Sequence, residues 1–157
     1  MFKIVPMLNP DGVVNGNYRC SLAGCDLNRR WAKPSPVLHP TIYTCKELIK
    51  SFGNERKIAL VCDLHGHSRK SNVFMYGCLR NDDRNACKMF PFILEKLSNC
   101  FSFEDSRFGV QKSKASTARV ALFKELGSVD NVFTLESSFS GCSIGVLKGQ
   151  HLSIDDL

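Results

Sequence analysis

An α/β layer fold, with a sheet covered by helices on both faces, is predicted by three observations. Apolar runs of strand length recur along the chain, helix-period segments alternate with them, and turn residues such as Gly, Pro and Asn punctuate the boundaries. At 157 residues, 43% hydrophobic and 23% charged, the chain has the size and composition of one globular domain, without internal repeats or low-complexity tracts.

Residues 2–8 are a short apolar run stopped by Asn9-Pro10-Asp11-Gly12, which predicts a buried strand and then a turn. Residues 40–52 carry Ile42, Cys45, Leu48, Ile49 and Phe52 at helical spacing, with Pro40 at the start and Gly53 just past the end. That pattern predicts a helix. Residues 57–64 (KIALVCDL) read as a central strand buried on both faces, with His65 at its carboxyl end. Residues 72–78 (NVFMYGC) predict a second strand across the intervening polar loop. Residues 91–97 predict a helix opened by Pro91, with Ile93, Leu94 and Leu97 inward. Ser116 or Thr117 caps a helix that runs to Glu125, turns Val120, Phe123 and Leu126 inward and stops at Gly127. Residues 131–135 predict a strand that delivers Glu136 at its end, and Ser153 caps a helix-like tail. The chain reads as incomplete at both ends. Ligands of open α/β sheets gather beyond the strand carboxyl ends, where this reading puts His65 and Glu136.

Formal net charge is +6 with a pI near 9.0, which attracts polyanions generally. The basic residues are dispersed, apart from Arg29-Arg30 and Arg69-Lys70, and no aromatic-basic interleaving is present. Nucleic acid is therefore not the expected partner, and an acidic peptide accounts for the same charge. Eight cysteines without a C-x-x-C pair, and no secretory signal, favour reduced thiols and a cytoplasmic protein over a disulfide framework or a cysteine zinc site. The apolar run at the amino terminus is too short to span a membrane, and no membrane association is expected.

Residues 9–12 (NPDG), 17–19 (NYR), 26–31 (DLNRRW), 62–69 (CDLHGHSR) and 133–139 (FTLESSF) form an ordered set. The set resembles the zinc carboxypeptidases of the funnelin type, most closely their cytosolic, tubulin-deglutamylase-like branch, over residues 9–149. The resemblance implies a mixed sheet with helices on both faces, and makes residues 1–157 the C-terminal portion of a single metallocarboxypeptidase catalytic domain. It implies hydrolysis of a C-terminal, acidic residue by zinc-activated water, on acidic protein tails such as polyglutamylated tubulin. A family His-x-x-Glu pair, which supplies two of three zinc ligands, has no counterpart in this sequence.

Carried over residue by residue, the resemblance implies that His65 binds zinc and Glu136 is the general base. Arg19 steadies the oxyanion, Asn28 and Arg29 grip the substrate's terminal carboxylate, and Arg119 reads an acidic side chain. The chemistry suits the residue types. A neutral imidazole on a rigid strand is a good zinc ligand, and a carboxylate beside the metal can take a proton from water. A guanidinium binds a carboxylate with two prongs, as lysine cannot. His67 is expected on the other side of the extended backbone, outside the ligand set. Lys112, Lys114 and Arg30 read as solvated, Trp31, Phe74 and Phe139 as core or pocket wall, and Cys142 as inert. Two alternatives stay open: a remnant that binds acidic tails without cutting them, and a zinc amidohydrolase acting on an N-acyl amino acid.

Overall fold

The structure, a computed structural model, describes residues 1–153, so the tail expected to be helical after Ser153 falls outside the described residues. The chain divides into two compact units, Met1–Ile58 with Gln111–Leu126, and Ala59–Val110 with the chain from Gly127 onward.

The second unit holds a three-stranded mixed sheet in the order β1 (Val61–His67), β3 (Val132–Ser138), β2 (Val73–Tyr76). β1 runs parallel to β3, and β2 runs antiparallel to it. Each strand follows the apolar run read from the sequence, but β1 starts later than expected and continues through His65 to His67. It is also an edge strand among the described residues, not a central one, and Leu64 is 74% exposed. The central strand is β3, buried over residues 132–134 and at Ser138, with Val132 and Phe133 inaccessible to solvent. The outer edge of β2 is satisfied by extended segments: Val73 bonds Cys100 and Ser102, and Met75 and Gly77 bond Arg107.

Alternation along the strands sends Cys62, Val73, Met75, Phe133 and Leu135 to one face, where they pack on Cys87, Phe90 and Leu94 of α3 (Ala86–Leu97). Phe90 stacks on Phe133 at 5.7 Å. α3 begins five residues before Pro91, which lies buried inside it, so the expected proline-opened start is corrected. Asp83 provides the start signal instead, its carboxylate accepting the amides of Asn85 and Ala86. With the start moved, the inward set becomes Cys87, Phe90, Pro91 and Leu94, while Ile93 and Leu97 are exposed.

In the first unit, Asn9-Pro10-Asp11-Gly12 is more than a turn: it opens α1 (Pro10–Asn15), with Asn9 accepting the Gly12 amide and Pro10 at the first helical position. Residues 2–8 form no strand. Pro6 removes a ladder donor, no strand among the described residues pairs with the segment, and Phe2 is 91% exposed. α2 (Pro40–Glu55) matches the expected helix but runs past Gly53. Ile42 and Cys45 are buried as expected, whereas Leu48 is exposed. The third buried position of α2 is a charge: Lys46 is 4% exposed, donates to the carbonyls of Trp31 (2.7 Å) and Ala32 (3.2 Å), and pairs with Glu125 at 2.6 Å. α4 (Ala118–Leu126) follows Thr117 and ends at Gly127, whose φ of 55° is the left-handed turn that terminates a helix. Its first five residues are all buried, a wider inward face than the spacing of Val120, Phe123 and Leu126 predicts.

Candidate active site

Strand register brings His65 and Glu136 together. They are direct partners across the parallel β1–β3 pair, and Phe74 of β2 is the partner of Glu136 on its other side. Cross-strand partners put their side chains on the same face, so Phe74, Glu136 and His65 form a row opposite the α3-covered face. Both polar residues lie inside their strands, not beyond the ends, which gives them the backbone rigidity of the ladder.

Asp63 holds the imidazole of His65: Nε2 lies 2.7 Å from Oδ2, and the two side chains are 30% and 17% exposed. A carboxylate on one ring nitrogen favours the tautomer with the proton on Nε2 and leaves Nδ1 as the ring atom with a lone pair, an arrangement of the kind that supports a metal-binding histidine. Asp63 was missed in the sequence reading, although an acid two positions before a histidine in a strand must share its face.

The same periodicity corrects the placement of His67. Two residues from His65 on one strand, it lies on the same face, and its ring meets the edge of Phe74 at a centroid distance of 5.2 Å. Nδ1 accepts the backbone amides of Arg69 (3.1 Å) and Lys70 (3.0 Å), which caps the turn after β1. Burial, then the nearby Lys70 and Arg69 charges, lower its pKa from the ordinary histidine value. Lys70 itself sits 4.7 Å above the Phe74 ring and pairs with Asp105 at 3.6 Å.

Asn72 organises the loop that follows Glu136. Buried and at φ 71°, it donates to Asp105 and Ser143, accepts from the Ser143 amide, and exchanges backbone bonds with Ser138 and Gly141. Phe139 is exposed, not core, and its ring lies against Gly66, where a Cβ would collide with it. On the α3 face, burial and the neighbouring Asp63 charge push the Cys62 thiol up to about 11, so it is no nucleophile. No disulfide joins any of the eight cysteines.

In the first unit, Arg19, Asn28 and Arg29 gather around one carboxylate, that of Asp26. Arg19 Nη1 is 3.2 Å and Arg29 Nη1 3.9 Å from Asp26 Oδ2, while Asp26 Oδ1 accepts the Asn28 amide at 2.9 Å and starts the 3-10 turn Leu27–Arg29. Asn28 Oδ1 in turn accepts the amide of Ala118, the first residue of α4, at 2.9 Å. Arg119 follows directly and is 6% exposed, so one loop carries the arginine pair and also seats the helix that holds the third arginine. Trp31 and Phe74 are buried as expected, and Lys112 and Lys114 are exposed.

Among the described residues, no group of three His, Cys, Asp or Glu side chains is assembled for a metal ion. His65, with its carboxylate-supported imidazole, fits a metal as one ligand, and the rest of a three-ligand set is not supplied by these residues. No described helix is long and apolar enough to cross a membrane.

No family model matches the sequence. Across its full length the chain is 47% identical to cytosolic carboxypeptidase 1 of Homo sapiens, of which it spans 14%. It is 44% identical to cytosolic carboxypeptidase 3 of Bos taurus and 45% to cytosolic carboxypeptidase 2 of Danio rerio, spanning 16% and 22% of them. The chain thus covers between a seventh and a quarter of the length of these curated relatives. A metallo-carboxypeptidase from Burkholderia cenocepacia superposes with a TM-score of 0.69 at 25% identity, over 85% of this chain and 34% of that one. A metallo-carboxypeptidase from Pseudomonas aeruginosa, in complex with (2-guanidinoethylmercapto)succinic acid, gives 0.63 at 26% identity, over 87% and 36%. The mixed α/β fold and the family resemblance read from the sequence both hold: the chain belongs to the cytosolic carboxypeptidase family of metallocarboxypeptidases.

Proposed function

We propose that this chain contributes the base, one metal ligand and the carboxylate-binding arginines of a cytoplasmic zinc metallocarboxypeptidase that removes C-terminal, acidic residues from protein tails, polyglutamylated tubulin among them. The observation that carries the reading is the His65–Glu136 pair, set side by side by strand register with Asp63 on the imidazole. His65 would be one of the residues to hold zinc, through the ring nitrogen that Asp63 leaves without a proton. Zinc, when bound, supplies a Lewis acid that makes water a competent nucleophile near neutral pH. Glu136 would hold and move the proton, taking it from the attacking water and returning it to the leaving amine. Arg19 donates to the developing oxyanion, and Asn28 and Arg29 hold the terminal carboxylate, which restricts cleavage to the chain end. Arg119, nearly buried in α4, pairs with the acidic side chain of the departing residue.

The test uses the full-length protein. Glu136→Gln is expected to keep its zinc content and its affinity for a glutamate-terminated peptide while turnover falls about 10²–10⁴-fold. Near-normal turnover removes Glu136 from the reaction. A wild-type protein that binds the peptide but contains no zinc and cleaves nothing is the non-cutting remnant instead, and cleavage of N-acyl amino acids in preference to peptides is the amidohydrolase.

A further inference from the structure

We propose that Lys46 is a positioning residue for side-chain selectivity: its ammonium fixes the separation between the loop that carries Arg29 and the helix that carries Arg119, and so sets a preference for a C-terminal glutamate over the shorter aspartate. The inference rests on the carboxypeptidase reading and names what holds its two carboxylate-binding arms in place.

All of these groups belong to the first unit. Ile42, Cys45 and Lys46 are the buried residues of α2, so a charge stands where an apolar side chain would complete the buried stripe. An ammonium taken out of water is tolerated only when its charge and its protons are met. Here they are met: the three N–H groups of Lys46 face the carbonyls of Trp31 and Ala32 and the carboxylate of Glu125. What the ammonium supplies beyond an apolar residue is direction. The apolar packing of Ala118, Val120, Ala121 and Leu122 is non-directional and tolerates small tilts of α4, whereas hydrogen bonds weaken as soon as their angles are lost.

The acceptors lie on the two elements whose relation matters. Trp31 and Ala32 continue the loop just after Arg29, and Glu125 is in the last turn of α4. Loop and helix already meet at the start of α4, where Asn28 accepts the Ala118 amide and the Trp31 amide donates to the Ser116 carbonyl at 3.2 Å. Both of those contacts sit at one end of the helix, and by themselves they form a hinge. Lys46 adds a contact at the other end, about 10 Å away at the rise of an α-helix. Held at both ends, α4 keeps its tilt against the loop, and Arg119 turns with α4. A substrate ending in glutamate meets Arg29 with its terminal carboxylate and Arg119 with its side-chain carboxylate, so the separation of the two arginines selects side-chain length. Aspartate falls one methylene short.

The experiment is peptide binding to full-length protein carrying Glu136→Gln, with zinc, using peptides that end in glutamate or aspartate, and it reads the ratio of the two affinities. That ratio does not depend on how much of the protein is folded, so a purely structural role for Lys46 leaves it unchanged. The parent protein should favour glutamate. Lys46→Met fills the site without the three bonds and should lower the ratio about tenfold, the scale of discrimination by one methylene. Glu125→Ala cuts the tether at its partly exposed end and leaves Lys46 on the loop carbonyls. It should lower the ratio about threefold, the size of one hydrogen bond, and it decides alone if Lys46→Met does not fold. The parent ratio retained in Glu125→Ala or in a folded Lys46→Met, or equal affinity of the parent for both peptides, overturns the proposal while binding still depends on Arg29. Binding that ignores Arg29→Ala overturns the carboxypeptidase reading and the proposal with it.

Discussion

The two units place their functional side chains by different means. In the second, His65 and Glu136 are set by ladder register, and their positions follow from backbone pairing along β1 and β3. In the first, Arg19, Asn28 and Arg29 lie on loops and a single 3-10 turn, and their positions follow from side-chain bonds to Asp26 and to the start of α4. The difference predicts where each is fragile. Register tolerates the loss of any one side-chain contact, but it depends on the hydrophobic packing that holds the strands. A loop site tolerates imperfect packing, but it depends on single hydrogen bonds that each carry a large share of the geometry.

The harshest way to probe the sheet is therefore to empty its core. Phe133 is inaccessible to solvent and stacked on Phe90, and Phe133→Ala should cost about 3–5 kcal/mol in urea unfolding, because the cavity adds to the lost transfer energy. A loss below ~1 kcal/mol would mean that β3 is not held by this cluster. The matching probe of the loop unit is Lys46→Ala, which strips partners from Glu125 and from the carbonyls of Trp31 and Ala32. Breaking a fully buried pair costs about 3–5 kcal/mol, and since Glu125 keeps contact with water the expected loss is about 2–3 kcal/mol. Equal stability in Lys46→Ala and wild type would show that the ammonium holds nothing in place.

What could be read beforehand follows the same division. The strands around Val61, Val73 and Val132 and the helices α2 and α4 announce themselves because apolar runs and helical spacing are local properties of the chain. Residues 2–8 carry an equally strong local signal and still form no strand, since pairing and burial need a partner that local pattern cannot reveal. Pro91 misled in the same way: it is common in a first turn, yet packing against the sheet holds it inside α3. The shared face of His65 and His67 is legible in the sequence, because a strand period of two puts them side by side. The links from Asn28 to Ala118 and from Asn72 to Ser143 span 90 and 71 residues, and no motif spacing encodes them.

Asn28 is where the comparison can be made sharpest, because one side chain is assigned both a structural bond and a substrate bond. Its Oδ1 accepts the amide of Ala118 and so satisfies an otherwise unpaired donor at the start of α4, while its Nδ2 is the group proposed to meet the substrate's carboxylate. Asn28→Ala removes both, and loss of the cap should lower stability by about 1 kcal/mol. Asn28→Asp keeps an acceptor for the Ala118 amide and adds a negative charge at a helix N-terminus, so stability should stay within about 0.5 kcal/mol of wild type. It removes the donor, however, and turns a carboxylate toward a carboxylate, so affinity for a peptide with a free C-terminus should fall roughly tenfold or more, without the same loss for a C-terminal amide. If Asn28→Asp binds the free terminus as well as wild type does, Asn28 is a helix cap alone and the terminal carboxylate is held by Arg29 without it. If Asn28→Asp is as unstable as Asn28→Ala, the bond to Ala118 does not cap α4, and the loop that carries the arginines is seated by some other contact.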